Sequence, residues 1–288
     1  MLMLIGSFTY SQNFHVGLFT GLSAYEGDLT DRIFPKKVTN GAIGVTLNYE
    51  LMPQFMLRGG FTYTVVGGAD RFSNDSALRA RNLAFETRIA EFSAVGEYYF
   101  FDLNEKKFSP YIFGGLAVFH FNPYDFNGST QKIFLNPLST EGEGLSAYPD
   151  RKPYALTQLA IPFGGGIKYA FTDNLRLGLE LGMRKLFTDY LDDVSTTYVD
   201  PNDLLAAKGQ LAVDMSYRGN ELPGGNPNYP AKGAQRGGAH RNDWYYFLGL
   251  HLTYRLGSGD NSNRSGVFGG GNFKGKRKGG YGCPAVHQ

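Results

Sequence analysis

One stretch of ten residues constrains the fold of this chain more than any other. In residues 175–184 (LRLGLELGMR) every odd position holds a large apolar side chain, and the even positions hold Arg, Gly, Glu, Gly and Arg; residues 244–256 show a similar alternation. Side chains of a strand point alternately to its two faces, so one face here is hydrocarbon and the other is polar. Strands average about 5–6 residues, whereas a tilted strand needs about 9–11 to cross a bilayer. The pattern therefore predicts transmembrane β-strands.

Segments with the same two-residue period recur along the chain. We predict strands over residues 13–25, 42–51, 54–66, 86–101, 109–121, 157–171, 174–187 and 243–256. Single-chain bacterial outer-membrane barrels have an even number of antiparallel strands. We therefore predict an all-β fold, an eight-stranded antiparallel transmembrane β-barrel over residues 13–256.

The segments between the predicted strands alternate in length. Short turns are expected at 52–53, 102–108 and 172–173. Long segments rich in Gly, Pro, Asn, Asp and Ser are found at 26–41, 67–85, 122–156 and 188–242. Outer-membrane barrels have short periplasmic turns and long extracellular loops. We therefore predict a protein of the bacterial outer membrane, in contact with its lipid, with long extracellular loops and both termini in the periplasm.

Bulk composition supports this prediction only indirectly. The mean hydropathy of −0.28 resembles that of a soluble protein, but lipid-facing and interior residues of a barrel average each other out. The chain has 19 Tyr and 23 Phe, which suit aromatic girdles at the two membrane interfaces. The net charge of +2 does not indicate a nucleic-acid partner.

The two ends of the chain differ from the predicted barrel. Residues 1–12 begin with the apolar run MLMLI, and we predict that they are the remnant of a signal peptide. Residues 257–288 are basic, Gly-rich and poor in apolar residues, which predicts a flexible, disordered periplasmic tail. The tail is either a solvated linker or an arm that docks to an acidic partner surface. The candidate docking residues are Lys274, Lys276, Arg277, Lys278, Cys283 and Pro284.

Charged residues lie on the predicted inner face of the strands. They are Arg58, Glu91, Glu97, Lys168, Arg176, Glu180, Arg184, His251 and Arg255. Eight strands enclose an interior just wide enough for side chains to fill. Acids and bases in that interior must pair, because an unpaired buried charge costs several kcal/mol. We therefore predict a filled, salt-bridged interior and a membrane anchor or platform, with a pore as the less favoured alternative.

The sequence shows no arrangement typical of a catalytic or metal site. The five histidines are scattered, and there is no Gly-x-Ser-x-Gly elbow. A lipid-modifying barrel enzyme is a distant alternative, and we predict no enzymatic activity, cofactor or small-molecule substrate. Residues 188–193 (TDYLDD) carry three carboxylates, which suit Ca²⁺. A capped, solvent-exposed turn is the commoner role of such a segment, so we predict no metal there.

Six segments carry a resemblance to a known family. They are residues 16–29, 109–115, 121–123, 184–195, 243–245 and 283–285. In this order they resemble the PorG-type barrels of the type IX secretion system. The strongest match, 184–195, contains the motif residues Thr188, Asp189, Tyr190, Leu191, Asp192 and Asp193.

This resemblance implies a role that periodicity alone does not supply. PorG-type proteins are outer-membrane barrels that associate with a periplasmic ring, formed by a PorK-like lipoprotein and its PorN-like partner. They are needed for protein transport out of the cell, and in some bacteria the machinery also serves gliding. The resemblance therefore implies a non-enzymatic barrel that anchors or organises this ring. The alternative is a stand-alone barrel, similar to OmpX or OmpA, that acts as an adhesin or stabilises the membrane.

Overall fold

Long strands with alternating side chains dominate the structure. The computed structural model describes residues 13–30, 38–128, 131–238 and 242–256. Its strands are β1 (Phe14–Glu26), β2 (Asn40–Met52), β3 (Phe55–Ala69), β4 (Ala84–Tyr99), β5 (Phe108–His120), β6 (Pro123–Asn127), β7 (Gln131–Phe134), β8 (Thr157–Ala170), β9 (Leu175–Leu186) and β10 (Trp244–Arg255).

Eight of these strands close into a barrel. The order is β3-β2-β1-β10-β9-β8-β5-β4, and β3 also pairs with β4, so the sheet has no free edge along this circuit. Every neighbouring pair in the circuit is antiparallel. The predicted eight-stranded antiparallel barrel is therefore confirmed, and each predicted strand boundary lies within three residues of the observed one.

The outer face of the barrel is hydrocarbon on every strand. One exposed apolar residue from each of the eight strands is Leu18, Val45, Leu57, Phe92, Leu116, Leu159, Leu179 and Leu250. The exposed fraction reaches 65% for Phe92 and 66% for Leu116. Soluble monomers rarely expose apolar patches larger than a few hundred Å². An apolar belt that surrounds the whole barrel requires lipid around it.

Glycine allows two strands to approach closely inside the barrel. Gly21 of β1 lies opposite Gly249 of β10 in the register. A Cβ atom on Gly21 would lie 2.4 Å from the Leu248 carbonyl oxygen and 2.5 Å from the Gly249 Cα. Since neither of those backbone atoms can rotate away, the position admits only glycine.

The two ends of the barrel differ. The turn end carries the short connections β2–β3, β4–β5 and β8–β9, and the loop end carries the long ones. We call the described parts of residues 27–30, 70–83, 121–156 and 187–243 the loop cap. These predicted loops contain regular elements. Strands β6 and β7 form a hairpin, and β6 pairs with β4 at Tyr124 and Glu86. The loops also contain three short α-helices.

The α-helices of the loop cap are α1 (Ser76–Arg81), α2 (Pro201–Lys208) and α3 (Gln210–Ser216). The first two begin at an aspartate N-cap, whereas α3 follows Gly209, which makes no side-chain capping hydrogen bond. Asp75 accepts a hydrogen bond from the Ala77 backbone N–H at 2.8 Å, and Asp200 accepts one from Asn202 at 2.9 Å. Within the described ranges, no helix is long and apolar enough to span a bilayer.

Candidate functional site: the barrel interior and the loop cap

Arg58 is the centre of a charge network inside the barrel. Its Nη1 lies 2.5 Å from Glu180 Oε2 and 3.0 Å from Glu97 Oε1, and its Nη2 donates to Glu180 Oε1 at 3.2 Å. Lys168 Nζ lies 3.2 Å from Glu97 Oε2, and the Tyr111 hydroxyl donates to Glu180 at 2.7 Å. All five side chains are buried. The network ties β3, β4, β5, β8 and β9 across the interior.

Two further groups of charges lie along the same interior. Arg184 donates to both carboxylate oxygens of Glu91 at 3.0 Å, a bidentate pair, and Tyr245 donates to Glu91 at 2.6 Å. Nearer the turn end, Arg255 and Arg176 lie 2.7 and 3.5 Å from Glu50 Oε2. Every predicted Lys, Arg and carboxylate of the interior therefore has an oppositely charged partner, whereas His251 contacts Arg58 and Thr46. Glu50, on β2, was not among the predicted members.

The interior also brings together three groups that could ligate a metal. Ligand atoms of Glu97, Glu180 and His251 lie within 4.8 Å of one another. However, Arg58 Nη1 is 3.2 Å from His251 Nδ1, and both carboxylates already pair with Arg58. The guanidinium supplies the positive charge at this point, so the three groups form part of a salt-bridge network.

In the loop cap, a single arginine joins distant segments. Arg236 Nη1 lies 2.9 Å from Glu141 Oε1 and donates to the Asp193 carbonyl oxygen at 2.6 Å. Glu141 also accepts hydrogen bonds from the backbone N–H groups of Ser195 at 3.0 Å and Thr196 at 2.8 Å. Arg236 and Glu141 are 2% and 0% exposed. This buried pair fixes the segment after β5 to the segment after β9.

The motif at residues 188–193 is buried, and the expectation of a solvent-exposed turn is wrong. Asp192 and Asp193 are 1% and 0% exposed. Asp192 Oδ2 accepts a hydrogen bond from the Tyr25 hydroxyl at 2.5 Å. Asp193 accepts one from Thr140 and one from Tyr154, each at 2.6 Å. The segment 121–156 folds over the motif and buries it. The sequence of the motif itself gives no indication of this burial.

Burial shifts the ionisation of these carboxyl groups. It raises the pKa of Asp193 to about 6, although Arg236 lowers it. It raises the pKa of Glu143 to about 8, and the Asp193 and Glu141 carboxylates add to that rise. The pKa values of Asp192 and Asp243 also lie well above the usual range, chiefly through burial. The loop cap thus holds several carboxyls that ionise reluctantly.

The protonated Glu143 predicts a pH dependence of stability. Its pKa is about 8 in the folded chain and 4.5 ordinarily, so between these values the unfolded chain loses a proton that the folded chain keeps. The free energy of unfolding should therefore fall as the pH rises through this window, by at most about 1.4 kcal/mol per pH unit from this group. Guanidinium unfolding in detergent micelles across the window measures the slope.

The matched variants for this test are Glu143→Gln and Glu105→Gln. Glu143→Gln removes the ionisable group, so the dependence of stability on pH should become flatter. Glu105 is exposed in a turn, so Glu105→Gln should leave that dependence unchanged. A slope that is identical in the original chain and in Glu143→Gln would contradict a raised pKa of Glu143.

Some candidate residues lie outside the described residues. They are Lys274, Lys276, Arg277, Lys278, Cys283 and Pro284, together with residues 1–12. Conversely, the structure brings in Glu141 and Arg236, which sequence analysis did not single out. Tyr25 and Asp243 also take part in the loop-cap contacts, and both lie in matched segments, 16–29 and 243–245.

The fold and the interior together define a class of protein. A closed, antiparallel, eight-stranded barrel with a hydrocarbon exterior and a charge-paired interior is a transmembrane β-barrel. The chain belongs to the DUF6089 family, described as a domain of unknown function, whose sequence profile matches residues 1–208. No curated protein matches the chain.

Several solved barrels are similar to the chain. Neisserial surface protein A (NspA) has 12% identity and a TM-score of 0.42, with 84% of this chain and 97% of that chain covered. Ail, the attachment invasion locus protein of Yersinia pestis, has 10% identity and a TM-score of 0.40, with coverages of 85% and 99%. The outer membrane protein OprG from Pseudomonas aeruginosa has 8% identity and a TM-score of 0.39, with coverages of 85% and 98%.

Proposed function

We propose that this chain is a non-enzymatic barrel of the bacterial outer membrane that anchors or organises the periplasmic PorK/PorN-like ring of the type IX secretion machinery. The main support for this proposal is the filled interior of the barrel. Arg58, Glu180, Glu97 and Lys168 pair across it, and Phe119, Tyr245 and Phe247 are almost fully buried. A barrel filled in this way serves as a platform, because a water-filled channel needs about 16–18 strands.

The position of the chain ends supports a docking role on one side of the membrane. Phe14 accepts a hydrogen bond from the Leu256 backbone N–H at 2.7 Å, so both ends of the described barrel leave it at the turn end. If the turn end faces the periplasm, as short turns do in outer-membrane barrels, residues 257–288 start on the side where the ring assembles. The basic group at 274–278 then suits an acidic surface on the ring lipoprotein.

Deletion of residues 258–288 tests this proposal. The truncated chain should still fold, as judged by a heat-modifiable band in SDS gels, but should lose the ring lipoprotein on affinity purification from native membranes followed by mass spectrometry. The matched pair is a variant with Lys274, Lys276 and Lys278 changed to Glu and one with the same residues changed to Arg. The first should lose the partner and the second should keep it. Full co-purification after the deletion would count against the docking role.

A second candidate function has one observation in its favour. The loop cap is a folded unit with its own buried ion pairs and helices, which suits a barrel that acts at the loop end as an adhesin or membrane stabiliser. Deletion of the gene separates the two functions. Loss of cargo secretion supports the ring role, whereas normal secretion with reduced surface attachment or increased detergent sensitivity supports the stand-alone barrel.

A further inference from the structure

A row of three outward-facing side chains lies where the barrel meets the loop cap. Lys185 of β9 pairs with Trp244 of β10, and Trp244 pairs with Glu26 of β1, so the three residues stand side by side. The adjacent residues Arg184 and Tyr245 are buried and point into the barrel. Because the side chains of a strand alternate between its two faces, the row lies on the outer face, continuous with the apolar belt.

The row stands at the height of the lipid headgroups. On β9 the outward positions from Leu175 to Met183 are all apolar, and Lys185 is the first charged residue on that face, ten residues beyond Leu175. At a rise of ~3.3 Å per residue and a tilt of ~40°, Lys185 stands ~25 Å above Leu175, which is the height of the apolar band of an outer-membrane barrel. Trp244, the single tryptophan of the chain, packs edge-on against Phe163 with the ring centroids 6.0 Å apart. Tryptophan favours this boundary between hydrocarbon and water.

A cleft opens beside this row, and we call it the rim cleft. Its volume is about 1860 Å³, and its lining includes Glu26, Lys185 and Trp244 together with Arg71 and Phe72 from the segment after β3. Pockets for small molecules measure about 300–1,000 Å³, so the rim cleft suits a larger ligand. Its lining also contains side-chain amides, which exchange hydrogen bonds with hydroxyl groups: Asn74, Asn226, Gln235 and Asn242.

The charges that line the rim cleft favour an anionic ligand. Within the part of the chain that the structure describes, neither Lys185 nor Arg71 forms an ion pair with an acidic residue. The acids of the lining each accept a hydrogen bond from the chain itself; they are Glu26, Asp28 and Asp75. The other two arginines of the lining, Arg81 and Arg236, pair with Asp70 and Glu141. Two positive charges are therefore available to a ligand in the cleft.

We propose that the rim cleft binds the headgroup of a phosphorylated glycolipid of the surrounding membrane. Lys185 and Arg71 contact its phosphate groups, and the amides of the lining contact its sugar hydroxyls. The proposal rests on the membrane class of the barrel and on a loop end that faces the outer leaflet, as long loops do in outer-membrane barrels. It does not depend on the secretion role.

The surface below the rim cleft favours a lipid over a soluble ligand. Leu181, Leu248 and Leu22 lie next to one another on β9, β10 and β1, four residues closer to the turn end than the row. They are 43%, 37% and 47% exposed. The acyl chains of a lipid whose headgroup sits in the cleft lie against these leucines. A simple phospholipid could use the cations in the same way, but it has no sugar for the amides and fills less of the volume.

The single tryptophan makes the binding measurable on the full chain. The chain is refolded in neutral detergent micelles, and the fluorescence of Trp244 is followed while bisphosphorylated lipid A is added. We expect a saturable change in emission. Lys185→Gln should weaken the binding about fivefold, because each basic residue strengthens the attraction to an anionic headgroup, whereas Lys185→Arg should bind as the original chain does. Lys106→Gln, at an exposed position of the turn end, should leave the affinity unchanged.

Lipids that lack one chemical feature give a second test, which uses the original chain alone. Lipid A without its phosphates should bind about tenfold more weakly or less, and so should phosphatidylglycerol, which carries a phosphate but no sugar.

Three results would overturn the proposal. Equal affinity for lipid A and phosphatidylglycerol would indicate a general anionic surface, and displacement of lipid A by inorganic phosphate would indicate a site for the free anion. Equal affinity of Lys185→Gln and Lys106→Gln would show that the row does not contact the headgroup.

Discussion

Replacement of Arg58 by alanine is expected to lower the free energy of unfolding by about 3–5 kcal/mol. Glu180 would lose the only Lys or Arg that pairs with it in the described residues, and Glu97 would keep Lys168 alone. Both carboxylates are at most 4% exposed, so water cannot replace the guanidinium. Breaking one side of a buried pair is costly because a charge stays behind without a partner.

Two variants separate loss of charge pairing from loss of side-chain volume. The double variant Arg58→Met with Glu180→Gln removes both charges and should recover most of the lost stability, since well-packed neutral replacements are often neutral or stabilising. Lys152→Ala, at an exposed position of the loop cap, should change the free energy of unfolding by less than about 0.5 kcal/mol. Equilibrium unfolding in detergent or lipid vesicles measures the free energy of unfolding of Arg58→Ala, of the double variant and of Lys152→Ala. If Arg58→Ala behaved like Lys152→Ala, the interior network would have no structural role.

Replacement of Leu179 by arginine is expected to destabilise the barrel in lipid by about 2–4 kcal/mol. Leu179 lies in the middle of β9 and is 51% exposed, opposite Leu250 and Ile167 on the neighbouring strands, which are 46% and 44% exposed. In water such a change at an exposed site would be almost neutral. Only hydrocarbon around the barrel makes the guanidinium costly at this position.

Leu205→Arg is the matched control for that experiment. Leu205 is 44% exposed on helix α2 of the loop cap, well away from the outer belt of the barrel. The same change of side chain should therefore have little effect there. Unfolding free energies in vesicles compare the two variants directly. Equal effects at Leu179 and Leu205 would mean that the exposed belt does not face lipid.

The barrel was predictable from the sequence because each strand carries its own signal. In β9 the alternation from Leu175 to Arg184 assigns every side chain to a face, and the length of the run excludes an ordinary soluble strand. Alternating short and long connections then gave the antiparallel order. The sequence did not show which inner charges pair with each other. Glu50, for example, pairs with Arg176 on β9 and Arg255 on β10, and nothing in the sequence around Glu50 indicates these partners.

The loop cap was not predictable in the same way. Its helices have only 6 to 8 residues, too few for a periodic pattern to be distinguished from irregular chain. Its buried contacts also join distant parts of the sequence, as between Glu141 and Arg236 or between Tyr25 and Asp243. A cluster such as 188–193 shows its charges in the sequence but not its burial, because the residues that cover it lie elsewhere.

The pairing of β1 with β10 determines when this protein can fold. Twelve consecutive residue pairs, from His15 with Arg255 to Glu26 with Trp244, join the first strand to the last. The sheet therefore cannot close until the final strand has been synthesised, and pairing over such a separation is intrinsically slow. Until the two strands pair, β1 and β10 each present an unpaired edge open to aggregation. The barrel can therefore close only after the chain has been made as far as β10, and not strand by strand during synthesis.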